Sequence, residues 1–182
     1  LGVLDEYGNF ITTLSTFSLL CLYQLEVRGL RGPVVRSLTQ SGMVDKVAAL
    51  FNVPVHRTAV GFKYVGQTMM DVDAIAAGEE SGGYAFRGNI PERDGILSGL
   101  MFLDLMVKTD KRASELVAML YGRVGEHHYD RLDVALDASA RKPDVQAIAA
   151  SPPGRIGGLR VERTETMDGA LLTLEGGYWG LI

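Results

Sequence analysis

The segment Gly78-Glu-Glu-Ser-Gly-Gly-Tyr-Ala-Phe-Arg-Gly-Asn-Ile-Pro-Glu-Arg-Asp-Gly95 sets carboxylates, a hydroxyl and two guanidinium groups among glycines. A carboxylate accepts two hydrogen bonds at once and suits a vicinal diol, whereas a hydroxyl both donates and accepts. Glu79 and Ser81 are two positions apart and share a side if the chain there is extended. Arg87 and Arg93 offer forked donors that match phosphate geometry. Glycine lets the backbone approach a ligand closely and adopt positive φ. The chemistry is that of a polyol joined to an anion, a phosphosugar. A solvated, glycine-rich surface turn accounts for the same residues without a ligand, and composition does not separate the two.

The elements that must position this loop are strands alternating with helices. Leu1–Asp5 and Asn9–Thr12 read as short strands around Glu6-Tyr7-Gly8. Leu14–Arg28 has helical spacing, with Gly29 as its C-terminal cap. Pro33–Ser37 is a short apolar strand. Ser41 then caps a helix that places Val44, Val47, Ala48 and Phe51 on one face. A strand at Val53–Thr58, a helix at Gly66–Val72 and a strand at Ala74–Ala77 lead into the glycine-rich loop. Asp94 caps Ile96–Val107, a helix apolar on nearly all sides and so expected in the core. Arg112–Tyr121 is amphipathic. This alternation predicts a three-layer α/β/α domain over residues 12–122. Residues 123–182 read as a small α+β unit. Tyr129–Leu136 alternates like a strand, Pro143 opens a short helix, and Leu159–Thr166 with Ala170–Glu175 form a hairpin around Asp168-Gly169. The last strand, ending at Ile182, is expected to stop without a partner.

Eighteen basic against 22 acidic residues give a net charge of -4, which disfavours nucleic-acid binding through a basic face. Tyr7 to Leu25 carries no charge, but Gly8, Asn9, Gln24 and its threonines and serines make it too polar to span a membrane. The single Cys21 excludes an internal disulfide and a cysteine-rich zinc site, and fits a reducing, cytoplasmic compartment. His127 and His128 lie near Asp130 and Asp133, yet adjacent histidines in an extended segment face opposite ways, so a surface or hinge role is expected. Trp179 is read as packing rather than as a sugar platform. A first residue other than methionine and apolar, strand-like ends suggest a piece of a longer chain.

The sequence GEESGG followed by GNIPERDGI resembles the sugar-binding loop of the α-D-phosphohexomutases, the phosphoglucomutase/phosphomannomutase family. Thr58-Ala-Val-Gly61-Phe-Lys63-Tyr resembles the preceding segment of the family's third domain. Leu1-Gly-Val-Leu-Asp-Glu-Tyr-Gly-Asn9 is similar to the strand pair that follows the metal-binding loop of the second domain. By motif position, the resemblance implies that Glu79 and Ser81 hold the sugar's ring hydroxyls and that Arg93 lies near the bound phosphosugar. Gly82 belongs to the same loop, and Gly61 and Lys63 to a segment bordering the site. For Lys63, a solvated strand-end lysine is an equally good reading. Gly83 stands where phosphomannomutase-like members carry histidine, a departure toward the phosphoglucomutase side.

The resemblance further implies an α/β third domain at residues 12–122, preceded by the end of the second domain at 1–11 and followed by part of the fourth at 123–182. The family's phosphoserine loop, its D-x-D-x-D-R metal loop and its R-x-S-G-T-E-P phosphate loop do not occur in these residues. The metal loop would lie immediately before Leu1, and Tyr178–Ile182 resembles the strand leading into the phosphate loop. No catalytic residue and no Mg²⁺ ligand is therefore expected here, and the isolated chain is expected to be inactive. The expected partners are a hexose phosphate and the remaining domains of the parent chain. A stand-alone, non-catalytic module binding a phosphosugar or a protein is the competing reading.

Overall fold

The computed structural model describes residues 1–133, 135 and 145–182. It divides into two compact units, Leu1–Tyr129 and Asp130–Ile182. In the first, β1 (Val3–Leu4) and β2 (Phe10–Ile11) form a small antiparallel ribbon. A four-stranded sheet follows, built from β3 (Val34–Ser37), β4 (Val55–Thr58), β5 (Ala76–Gly78) and β6 (Tyr84–Phe86) in the order β4-β3-β5-β6. The first three strands are parallel and β6 is antiparallel to β5, so the sheet is mixed.

Period-2 alternation divides each strand between two cores, because successive side chains leave opposite faces. Val34, Ala76, Tyr84 and Phe86 belong to the larger core, with residues of α1 (Thr13–Leu22), α2 (Met43–Leu50), α4 (Gly95–Thr109) and α5 (Ala113–Val124). Val35, Ala77 and Ala85 belong to the other, with Phe62, Val65 and Met69 of α3 (Phe62–Asp71). The result is the expected three-layer α/β/α arrangement.

Several local expectations need correction. The first helix is not regular to Arg28: its last turn, Tyr23–Val27, is π-helical, with the Arg28 amide donating to the Tyr23 carbonyl at 3.0 Å. Gly29 does take positive φ just beyond it. Helix α3 starts four residues earlier than its spacing predicts, at Phe62, with Gly61 as its N-cap. Tyr84–Phe86, read as loop, is a buried strand. Helix α4 is capped by Asp94, whose Oδ1 accepts from the Leu97 amide at 2.8 Å. It is not buried all round, however: Ser98, Met101, Phe102 and Leu105 face inward, while Ile96, Leu100, Leu103 and Val107 form an exposed stripe.

The second unit contains α6 (Val145–Ala150) and an antiparallel sheet of β7 (Arg155–Ile156), β8 (Leu159–Glu165), β9 (Leu171–Leu174) and β10 (Trp179–Leu181). Gly169 turns the β8–β9 hairpin at positive φ. The last strand does have a partner: β10 pairs with β9, and Trp179 lies opposite Thr173. Tyr129–Asp133 is irregular rather than a strand. Val134, Leu136 and Pro143 of the expected strand and helix start lie outside the described residues. No helix among the described residues is long and apolar enough to cross a membrane.

Candidate functional site

In an open α/β sheet, ligands bind beyond the carboxyl ends of parallel strands, where successive crossovers leave in opposite directions. Here β3 leads through α2 to β4 on one side, and β4 returns through α3 to β5 on the other. The crevice between β3 and β5 is thus the switch point. The residues at these strand ends are Ser37, Thr58 and, immediately after Gly78, Glu79 and Glu80.

Glu79 is buried, and its Oε1 accepts from the Gly61 amide at 2.8 Å. Gly61 caps α3 with φ +124°, a region that favours glycine, so the helix start is shaped to present this amide. Burial pushes the Glu79 carboxyl above the usual carboxylate range, and the Glu80 and Glu92 charges add to that. The Gly61 amide and the Arg93 charge pull it down. The chain then turns: the Gly82 amide donates to the Glu79 carbonyl at 3.2 Å, and the Glu79 amide to the Gly83 carbonyl at 3.0 Å. Because this is a turn with Gly82 at φ +89°, Glu79 and Ser81 do not share a side as an extended chain would require. Glu79 points inward and Ser81 is exposed.

Gly83 is where Arg93 crosses the loop. A Cβ at position 83 would lie 2.5 Å from Arg93 Cδ and 2.7 Å from its Cγ, so the arginine stem occupies the space a side chain would need. The guanidinium sits over the Phe62 ring, 5.4 Å from its centre, and its Nε donates to Glu92 Oε1 at 2.9 Å. Arg93 thereby joins the loop to the first residue of α3. Further along that helix, Gly66 comes close to the same loop, since a Cβ there would lie 2.8 Å from the Pro91 carbonyl oxygen. Lys63 is exposed on the first turn of α3, with its ammonium 4.7 Å from the centre of the Tyr64 ring. Gly61, Glu79, Gly83 and Arg93 therefore form one connected group, and Ser81 and Lys63 lie on exposed flanks.

Arg87 does not join them. Because β6 runs antiparallel, it carries Arg87 to the opposite end of the sheet, where Nε pairs with Asp73 at 3.0 Å and the guanidinium donates to the Asp73 carbonyl. The residue missed by sequence reasoning is Glu80, whose Oε2 accepts from Ser37 Oγ at 3.1 Å and from Thr39 Oγ1. A hollow of about 660 Å³ lies between β1 and α4; it is lined mostly by apolar groups, among them Val3, Leu4, Ile96, Leu100 and Leu103, and also by Asp5, Glu6 and Arg112. It has an apolar wall and contains none of the residues above, so its chemistry does not match a sugar phosphate.

Among the described residues no group of three or more histidine, cysteine or acidic side chains is placed to hold a metal ion. Near the His127–His128 pair, His127 Nδ1 contacts the Gly125 carbonyl at 3.0 Å, and Asp133 pairs with Arg131 at 2.8 Å. Cys21 is fully buried, and burial raises its thiol pKa far above the ordinary value, as inert core packing requires.

A mixed sheet with α3 on one face and α1, α2, α4 and α5 on the other defines an α/β/α domain with this loop at its switch point. The chain belongs to the phosphoglucomutase/phosphomannomutase family: residues 15–124 match its α/β/α domain III. A phosphoglucomutase/phosphomannomutase of Thermococcus kodakarensis is 31% identical over 114 residues, which is 63% of this chain and 25% of the relative. A phosphoglucosamine mutase of Moorella thermoacetica is 28% identical over 164 residues, 85% of this chain and 35% of the relative. The crystal structure of a phosphomannomutase-type protein from Thermus thermophilus superposes with a TM-score of 0.81 at 29% identity, covering 99% of this chain and 36% of that one. The chain thus spans about a quarter to a third of the length of these relatives.

Proposed function

We propose that these residues are the sugar-recognition part of a phosphohexomutase of carbohydrate metabolism. The parent enzyme interconverts hexose 1-phosphate and hexose 6-phosphate through a phosphoserine and a bisphosphate intermediate. The observation that carries this reading is the connected group of Gly61, Glu79, Gly83 and Arg93 at the switch point of the sheet. Glu79, aligned by the Gly61 amide, accepts hydrogen bonds from neighbouring ring hydroxyls, and the exposed Ser81 hydroxyl takes another. Arg93 supplies cationic character on the phosphate side, with Lys63 at the rim. Contacts to hydroxyls rather than to one phosphate end suit a sugar that must be held in two orientations.

Residues 1–11 are assigned to the end of the preceding domain, 12–122 to the sugar-binding domain and 123–182 to part of the domain that follows. Mg²⁺ offsets phosphoryl charge in such an enzyme. The described residues provide no ligand set for it, so its ligands are assigned to other parts of the parent chain. The phosphoserine-loop and phosphate-loop motifs do not occur among the 182 residues, so the chain alone is expected to bind hexose phosphate weakly and not to turn it over.

The test is titration of glucose 1-phosphate into the ¹⁵N-labelled chain. Amide shifts are expected at Gly61 and Glu79–Gly83 and at the Arg93 side chain. Glu79→Gln is expected to weaken binding by about 1–3 kcal/mol, the range of a charge-assisted hydrogen bond. Shifts confined to the hollow between β1 and α4, or binding untouched by Glu79→Gln, would overturn the assignment.

A further inference from the structure

We propose that Glu80 is a positioning residue of this site: it ties the loop after β5 to the end of β3 and so holds Glu79 against the Gly61 amide. The two adjacent carboxylates are divided by the turn. Glu79 reaches toward α3, and Glu80 reaches the opposite way across the switch-point crevice to Ser37 Oγ, at 3.1 Å, and Thr39 Oγ1. The two hydroxyls are themselves 3.2 Å apart, so they meet the carboxylate as a pair. Glu80 is also held through its backbone, since its carbonyl oxygen accepts from Thr13 Oγ1 at 2.5 Å. Thr13 is held in turn by Tyr84, whose hydroxyl donates to the Thr13 carbonyl at 2.7 Å.

One residue therefore connects the end of β3, the start of α1 and the loop. Glu79 and Ser81 are its immediate neighbours, and a rotation at Glu80 turns both. The remaining ties of the turn do not fix it to β3: Gly82 to Glu79 and Glu79 to Gly83 are local, and the Gly82 carbonyl accepts from the Leu1 amine at 2.8 Å. A carboxylate suits this task better than a neutral acceptor, because hydrogen bonds to an ionised oxygen are shorter and roughly twice as strong. Glu80 already has two hydroxyl partners and takes no further role as a sugar ligand in this proposal.

The placement of Glu79 can be read without a ligand, from protection of the Gly61 amide against hydrogen exchange in the full 182-residue chain. Only the functional half of the proposal rests on the hexose phosphate reading. Glu80→Ala is expected to speed Gly61 exchange about tenfold or more, as local opening dictates, and to weaken glucose 1-phosphate binding about tenfold. Glu80→Gln, whose amide oxygen still accepts, is expected to fall between. Ser37→Ala combined with Thr39→Val reproduces Glu80→Ala without altering the loop, and carries the test if Glu80→Ala does not fold. Protection of the Asp94-capped Leu97 amide is expected to stay constant throughout. Unchanged Gly61 protection in both Glu80→Ala and the double variant overturns the proposal. So does lost binding with Gly61 protection intact, which would make Glu80 a direct ligand group. If Gly61 responds but the native chain binds no glucose 1-phosphate, the positioning role stands and the sugar assignment fails.

Discussion

Gly78 is the last residue of β5 and the one before Glu79, and its missing side chain is filled by an aromatic ring. A Cβ placed there would lie 2.6, 2.7 and 2.8 Å from three ring atoms of Phe17, about 0.8 Å inside ordinary carbon contact distance. Phe17 is fully buried and stacks on Tyr84, with 5.2 Å between ring centres, so it has no open side to retreat into. Gly78→Ala must push the ring toward Tyr84 or push the strand end away. Overpacking of this kind costs about 1–3 kcal/mol, and disturbing the aromatic pair adds about 0.5–1.5 kcal/mol. A loss of about 2–4 kcal/mol is expected, or roughly 8–16 °C in Tm for a unit of this size. The assay is urea and thermal unfolding followed by far-UV circular dichroism at the helix minimum. Most of the helix lies in Leu1–Tyr129, so this signal reports the relevant unit, whereas Trp179 fluorescence reports the other. Gly95→Ala is the control: it lies at a helix start with nothing within 4 Å of the added Cβ, and unchanged or slightly raised stability is expected. Phe17→Leu should partly rescue Gly78→Ala, giving costs smaller than additive. Gly78→Ala as stable as the native chain would refute the argument, as would strict additivity with Phe17→Leu.

Other expectations concern the loop directly. Burial raises the Glu79 carboxyl above its unfolded value, so the folded state binds the Glu79 proton more tightly than the unfolded state does. Its contribution is present at low pH and is lost as pH rises through and just above the usual carboxylate range. Asp5, Glu6, Glu92, Asp94, Asp104 and Glu115 are shifted the other way, so the readout is a difference: the stability of the native chain relative to Glu79→Gln should fall across unfolding titrations from about pH 4 to 7. Gly83→Ala displaces the exposed Arg93 stem. Stability is expected to change by about 0.5 kcal/mol or less, and the Arg93 side-chain shift on adding glucose 1-phosphate is expected to shrink severalfold. Asp94→Ala removes the α4 cap and should cost about 0.5–2 kcal/mol by chemical denaturation.

Much of the architecture was legible because burial imposes periods on the sequence. Val34-Val35 and Ala76-Ala77 read as strand, and they are split between the two cores as alternation requires. Tyr84–Phe86 was not legible. Four residues between Gly83 and Gly88 carry too little pattern, and pairing with β5 is what makes the first three a strand. That omission also explains the misplacement of Arg87, because only the antiparallel direction of β6 carries it away from Glu79. Composition suggested a core helix at α4, whereas Ile96 is 81% exposed. A helix's neighbours are set by tertiary structure, and apolar content does not reveal which faces they cover. Within the site, residue types identified Glu79 but could not distinguish its task from that of Glu80. Two adjacent carboxylates are chemically alike, and the turn at Gly82 alone sends one toward Gly61 and the other toward Ser37.

The close approach of Gly66 to the Pro91 carbonyl bears on how the site moves. Helix α3 carries Gly61 at its start and touches the loop segment next to Arg93 midway along its length. The floor and the cationic arm therefore travel as one body, and a movement of Arg93 toward a ligand must carry the helix or open that contact. Freedom is left mainly to the exposed Ser81 side chain, since Gly82 is buried, with its amide bonded to the Glu79 carbonyl and its carbonyl accepting from the Leu1 amine. A pocket arranged in this way loses little entropy of ordering when it is filled. On the sugar-recognition reading proposed above, a reversed sugar is expected to be met by small rotations of one hydroxyl and by the ligand's own turning, not by remodelled walls.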